Sequence, residues 1–365
     1  VKHEVGLAFM REYRKMALQV ALIADDLTGA LDSAAPFAAR GLRARVALSP
    51  EAIDAVDPAG LDVLAVTTNS RQIDEAAAQK AVASAALRLH TLAPRVVFKK
   101  IDSRIKGHVT AEAQQCAQHL QRPNWLVAPA IPAFGRIVQQ GHVEGFGVQK
   151  PIDIAARLGR DARIPDIARQ EDFAPLVDAV LNDKSLLAIG ARGLAEALAE
   201  RLGGAAVTAP RPASPTLFAI GSVDPITRAQ LARLRDHTGL AESLEQDSCG
   251  NKNIAILSTP KLVGEIAVAP AQDFARRAAR CISALQPNTV VVTGGETAAL
   301  VLTALDIAHM EVEGETVPGV GQALARTSHG PLRILTKSGG FGSPDTLVEI
   351  ADLIASGAQT VRVTA

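Results

Sequence analysis

Aromatic residues make up only 3% of this 365-residue chain. That leaves few ring faces for a base-stacking platform. An excess of one charge is also missing: 38 basic residues face 38 acidic ones, for a formal net charge of zero. A general binder of nucleic acid or of a membrane surface would carry a basic surplus. Cysteine is scarce. Cys116, Cys249 and Cys281 are odd in number, far apart and form no C-x-x-C, so we expect reduced thiols in a reducing compartment, without metal or catalytic duty. No apolar run approaches the roughly 18 residues that span a bilayer. The first residues do not read as a signal peptide, because Glu4 and Glu12 interrupt them and Asp25-Asp26 stand where small residues would mark a cleavage site. Val1–Lys15 reads instead as a loosely held extension, with Met16 as the natural start. These absences lead to the expectation of a cytoplasmic protein without nucleic-acid or membrane partners; homo-oligomerisation is left open. Two nucleotide fingerprints are absent as well: G-x-x-x-x-G-K-[ST], and G-x-G-x-x-G after a strand.

What is present is enough apolar sequence, 48%, for two domains at roughly 150 residues each. Short continuous apolar runs alternate with Ala/Leu/Arg helical patterns. The expected strands are Val20–Ala24, Val63–Thr67, Arg95–Lys99, Trp125–Val127 and Leu186–Ile189, then Leu217–Ile220, Ile254–Leu257, Val290–Thr293 and Ile334–Thr336. Strands apolar on both faces belong in parallel sheets. Ala76–Leu92, Ala191–Leu202, Arg228–Leu234 and Asp273–Leu285 carry the helical period. The expected fold class is therefore α/β, two domains, each a mostly parallel sheet flanked by helices. Ala209–Pro215, APRPASP, is the best linker and divides the chain into 1–210 and 211–365. Ala128–Arg163, rich in Gly and Pro, is too long for an ordinary connection and suits a lid, a binding loop or disorder.

The unusual residues of the first half share one position. Asp25-Asp26, Thr68-Asn69-Ser70-Arg71, Lys99-Lys100-Ile101-Asp102-Ser103 and Pro129 through Arg136 each follow an expected strand. The carboxyl ends of parallel strands form the ligand crevice of open α/β sheets. Taken singly, either aspartate could merely cap a helix, Ser70 and Arg71 could be ordinary loop residues, and the lysines could be solvated. Together they set carboxylates, suited to hydroxyl recognition or proton abstraction, beside cations suited to a carboxylate or phosphate: Arg71, Lys99, Lys100, Lys106 and Arg136. The implied ligand is a small anionic polyol. The second half uses glycine instead. AIGSVDPIT reads as strand, Gly-Ser turn and helix, with Asp224 at the N-cap and Pro225 at N1. VVVTGGETA and LTKSGGFGSPD again place glycines after strands. Such turns present backbone N–H groups to phosphate.

As a set these motifs resemble the four-carbon acid sugar kinase family, which includes 3-oxo-tetronate, threonate and erythronate kinases. The matching stretches are ADDLTGA (Ala24–Ala30), TNSR (Thr68–Arg71), KKIDS (Lys99–Ser103), PAIPAFGR (Pro129–Arg136) with Gly141, GSVDPITRAQ (Gly221–Gln230), GGETA (Gly294–Ala298) and KSGGFG (Lys337–Gly342). The order is the family's. Departures are Arg104-Ile105-Lys106-Gly107-His108, where the family usually has Thr-Leu-Arg-Gly-Asn, and Asp224 where it has Ser.

The resemblance implies an N-terminal domain that binds the sugar acid, a C-terminal domain that binds ATP, an active site in the cleft between them, and phosphorylation of a terminal hydroxyl with ATP and Mg²⁺. On that basis Asp102 or Asp26 accepts the hydroxyl proton, with Asp102 favoured. Asp25, Ser70, Arg71, Lys99, Lys100, Ser103 and Arg136 hold the acid, its carboxylate on Arg71, Lys99 and Arg136. Gly221, Ser222, Gly294, Gly295, Glu296, Thr297, Lys337, Gly339 and Gly340 hold the nucleotide; no Mg²⁺ ligand is assigned. Rival readings are a non-catalytic nucleotide- and sugar-acid-binding protein of the same fold, and a nucleotide-dependent oxidoreductase.

Overall fold

A computed structural model describes residues 18–159, 161–240, 253–259 and 270–358. The expected N-terminal extension, Met16 and Cys249 lie outside the described residues. The chain divides into two compact units, the first ending at Val207 and the second beginning at Thr208.

In the first unit, β1 (Val20–Ala24), β2 (Ala44–Ala47), β3 (Val63–Thr67), β4 (Val96–Lys100), β5 (Asn124–Ala128) and β9 (Leu186–Gly190) form a parallel sheet. Its spatial order is β2-β3-β1-β4-β9-β5. Every residue of β1, β3, β4 and β9 is buried, as continuous apolar runs require when both faces are covered. The cover comes from α1 (Leu27–Ala38), α2 (Glu75–His90), α3 (Val109–His119), α5 (Ala174–Asn182) and α6 (Arg192–Leu202); α1 packs on α6 and α2 on α3. From β1 the chain turns to one side for β2 and β3, and to the other for β4, β9 and β5. That reversal makes the end of β1 the switch point where α/β sheets take ligands. The Gly/Pro-rich stretch after β5 holds a short 3₁₀ turn, Pro132–Phe134, and a small antiparallel sheet of β6 (Arg136–Gln139), β7 (His142–Gly145) and β8 (Ile152–Asp153), followed by the short helix α4 (Ile154–Leu158).

In the second unit the strands are β10 (Thr216–Ile220), β11 (Ile254–Ser258), β12 (Thr289–Thr293), β13 (His309–Val317), β14 (Val320–Thr327) and β15 (Gly330–Lys337). The order is β11-β10-β12-β15-β14-β13. The first four in that order are parallel, while β14 runs antiparallel to both β15 and β13. The reversal here falls at β10. Phe218 and Ile220 from β10, Leu231 and Leu234 from α7 (Pro225–Thr238), and Leu347, Ile350 and Ile354 from α10 (Thr346–Ala358) build one apolar core. Helices α8 (Pro270–Leu285) and α9 (Gly295–Ala304) pack together.

Candidate functional site

Three strand ends of the first unit bring their charges together. Asp25, 3% exposed, receives a two-pronged guanidinium from Arg71: Nε donates to Oδ2 and Nη2 to Oδ1, both at 2.8 Å. The third nitrogen, Nη1, stands 2.5 Å from Asp26 Oδ2. One arginine therefore bridges the two aspartates that end β1, which is how adjacent carboxylates survive at the edge of a buried strand. Asp26 also caps α1, accepting from the Gly29 N–H at 2.6 Å. The two carboxyls diverge. Burial works against ionising Asp25, yet the Arg71 fork, with Lys99 and Lys100, outweighs it and holds this carboxyl below its usual range. Burial and the neighbouring Asp25 charge push Asp26 up. Arg71 itself is held above its ordinary value because the aspartates overcome the effect of burial.

Lys99 is wholly buried. Its ammonium donates to Glu112 on α3 at 2.8 Å and to the Lys100 carbonyl at 2.9 Å. Its ammonium is thus taken up within the protein, beneath the strand end where the sequence places it against the acid's carboxylate. Ser70, also fully buried, is likewise turned inward, onto Glu112. Lys100 is 6% exposed and donates to the Ile101 carbonyl. Its Nζ lies 3.1 Å from where a Cβ on Gly29 would sit, so the ammonium stands at the first turn of α1. A cation at a helix N-terminus opposes the macrodipole and is compensated by a nearby anion. Asp102 spends one oxygen on the Arg104 N–H at 2.9 Å. Its charge acts on both Arg71 and Arg136. Arg136, half-buried at the start of β6, donates to Ser103 Oγ at 2.5 Å and to the Phe146 carbonyl at 2.6 and 3.0 Å. Lys106 is exposed.

Two participants carry no signal of the motif type. Glu112 sits on α3 with Val109 and Cys116, all buried; an acid within an apolar helical stripe is the mark that would have revealed it. Arg192 opens α6, pairs with Asp32 and Glu196 at 2.9 and 2.7 Å, and lies 5.7 Å from the Phe134 ring. It thereby braces the turn leading to Arg136. Burial pushes the Cys116 thiol up to about 12, so it remains a packed thiol.

The second unit gathers backbone rather than charge. Gly294, after β12, has φ +91° and caps α9, whose first residue is Gly295. An L side chain is strained in that conformation. Asp224 caps α7 through the Ile226 N–H at 2.9 Å, with Pro225 next, as the sequence predicts. A Cβ on Gly339 would collide with the Ser222 hydroxyl, so the loop after β15 presses against the turn after β10. Thr297 is 8% exposed and Glu296 and Gly340 are exposed. Lys337, the last residue of β15, is buried with its Nζ 3.0 Å from Thr227 Oγ1, 2.8 Å from the Ser338 carbonyl and 3.0 Å from the Phe341 carbonyl. Burial lowers it to about 8, with only the more distant Asp224 charge opposing. Helix N-termini fronted by glycine turns, with no room for a Cβ on Gly221 beside Thr297 or on Gly339 beside Ser222, suit a polyphosphate. Among the described residues no three His, Cys, Asp or Glu side chains cluster closely enough to hold a metal ion. None of the described helices is long and apolar enough to cross a membrane.

Comparison with known proteins agrees with this division. Residues 20–152 match a family model described as a sugar-binding N-terminal domain, and residues 245–347 one described as a nucleotide-binding C-terminal domain. A D-threonate kinase of Bordetella bronchiseptica is 27% identical, the match covering 92% of this chain and 97% of that one. A 3-oxo-tetronate kinase of Methylobacterium radiotolerans is 26% identical over 93% and 100% of the two chains. The fold is shared with a crystal structure of a Salmonella typhimurium protein, at a TM-score of 0.71, 18% identity, and coverage of 91% and 98%.

Proposed function

The chain belongs to the four-carbon acid sugar kinase family, and from that premise we propose that it transfers the γ-phosphate of ATP to a terminal hydroxyl of threonate, erythronate or an oxo-tetronate. The observation that carries this reading is the split in chemistry between the two sheet edges: paired carboxylates and cations on the first, glycine turns and a buried ammonium on the second.

In this reading the first unit binds the sugar acid. Arg136 and Lys100 hold its carboxylate, and Asp26 receives hydroxyl groups. Asp102, with one oxygen committed to the Arg104 N–H, uses the other to orient the reacting hydroxyl and take its proton. Arg71 serves the acid indirectly, by fixing the two aspartates. The second unit binds ATP. The amides at Gly294 and Gly295, the hydroxyls of Ser222 and Thr297, and the loop around Gly339 face the phosphates. Lys337 offsets the charge that gathers on the γ-phosphoryl oxygens. No side chain is assigned to Mg²⁺, which when bound with ATP would supply neutralisation of the phosphate charge. As the acceptor oxygen bonds to γ-phosphorus, the bridge to ADP breaks.

A coupled assay for ADP over a panel of four-carbon acids tests this. The expected result is ADP formation only with an acid present, matched by a phosphomonoester. Absence of any phosphorylated product from folded protein that binds ATP would overturn catalysis in favour of a non-catalytic binding protein.

A further inference from the structure

The buried ion pair beneath the first unit's sheet edge takes no direct part in the chemistry above. Lys99 and Glu112 are 0% and 1% exposed. Burying two charges is costly, and apolar residues of equal volume often serve stability as well or better. The pair therefore calls for another explanation, and the two oxygens of Glu112 supply one. Oε2 accepts from Lys99 at 2.8 Å, while Oε1 accepts from the Ser70 hydroxyl at 2.5 Å. That short bond to a charged acceptor is of the strong, directional kind. The Ser70 hydroxyl is also 2.7 Å from that of Thr68, and the Ser70 backbone N–H donates to the Asp25 carbonyl at 2.9 Å. The next residue is Arg71, which bridges Asp25 and Asp26. An unbroken run of contacts thus joins α3 to the guanidinium that orders both aspartates.

We propose that Glu112 is a positioning residue: anchored by Lys99, it holds Ser70, and through Ser70 the Arg71 bridge, so that the aspartates meet the acceptor in one arrangement. Its role rests on the kinase reading above, and the substitutions separate the two. Glu112→Gln keeps the shape and an acceptor oxygen but weakens the bond to Ser70 and leaves Lys99 without its counter-charge. Adding Lys99→Met removes that stranded charge. Ser70→Ala removes the link to the loop alone.

Steady-state kinetics with the best acid substrate of the wild type, together with thermal melting, make the test. Glu112→Gln should raise KM for the acid by about tenfold, the effect of one lost charge-assisted hydrogen bond, with KM for ATP unchanged within about twofold. The double variant should recover melting temperature but not the acid KM, and Ser70→Ala should reproduce the rise in acid KM. Recovery of a wild-type acid KM in the double variant would reduce the pair to a structural one and overturn the proposal, as would parallel losses for acid and ATP. If Glu112→Gln fails to fold, the double variant and Ser70→Ala carry the same comparison. A wild type inactive on every acid would overturn the kinase reading instead. Acid affinity by calorimetry then decides the positioning role, with equal affinities of wild type and variants counting against it.

Discussion

Each unit buries a lysine at the carboxyl end of a parallel strand, and the two are held in opposite ways. Lys99 meets a carboxylate: burial disfavours its charge, but Glu112 outweighs that and raises the ammonium above its ordinary value. Lys337 meets a threonine hydroxyl and carbonyls, and burial lowers it to about 8. The first cation is already neutralised by its own protein. The second is equally buried, and its ammonium is bonded to a hydroxyl and carbonyls with no carboxylate among those partners. The same contrast runs through the neighbouring residues. The first edge is built of side chains fixed by other side chains, as Arg71 is by two aspartates. The second is built of glycine turns, with Gly294 at φ +91° and no room for a Cβ on Gly339.

The substitution expected to break this contrast most severely is Asp102→Asn. A proton acceptor is needed only on the side-chain edge, and general-base catalysis supplies about 10²–10⁴-fold. We expect kcat to fall by that order with ATP affinity unchanged by calorimetry. A kcat near wild type would move the base to Asp26, whose raised carboxyl is the alternative. Next in size is Arg136→Ala. Loss of a charge-assisted bond to the acid costs about 1.5–3 kcal/mol, so acid affinity should drop roughly 10- to 100-fold while ATP binding holds. Equal loss of both ligands would show that the two edges do not divide the work.

The core of this contrast is readable from the sequence. Continuous apolar runs ending in charge or glycine marked β1, β3, β4, β9, β10 and β12, because strands covered on both faces are apolar throughout. The same criterion passed over β13 and β14. HMEVEGETV alternates buried and exposed positions, as the outer, antiparallel part of a sheet does. It also passed over β2, whose four residues ARVA include a charge. At the site, Asp25, Asp26 and Arg71 stood out singly, but their bridge joins residues 46 apart in sequence and no spacing rule anticipates it. The pairing of Lys99 with Glu112 is hidden for a related reason. A lysine at a strand end reads as available for a ligand, and only the fold brings Glu112 underneath it.

A milder substitution, Gly294→Ala, tests the backbone edge. At φ +91° an L residue costs about 1–3 kcal/mol. The loop would relax away from this conformation, and ATP affinity should fall about 5- to 100-fold with acid binding retained. Undiminished ATP binding would show that the turn after β12 does not face the phosphates.

The smallest expected effect is the most specific to the contrast, because it separates the two lysines by pH alone. With Lys337 near 8 in the free protein, most of it is charged at pH 7 and little at pH 9. The terminal phosphate, whose second pKa is about 6, has already ionised across this range. Nucleotide affinity should therefore weaken by about tenfold between pH 7 and 9, since a site competent only when protonated loses affinity in proportion to its protonated fraction. Calorimetry in buffers of different ionisation enthalpy should detect proton uptake on ATP binding near pH 8. Acid binding should show no limb from Lys99, which its carboxylate partner keeps charged. Stability carries the opposite sign. Between about 8 and its ordinary 10.5, Lys337 binds fewer protons folded than unfolded, so its contribution rises with pH through that window. Lys337→Met should abolish both the pH limb in ATP affinity and the proton uptake. Persistence of either in that variant would assign the titration to another group and remove the distinction between the two lysines.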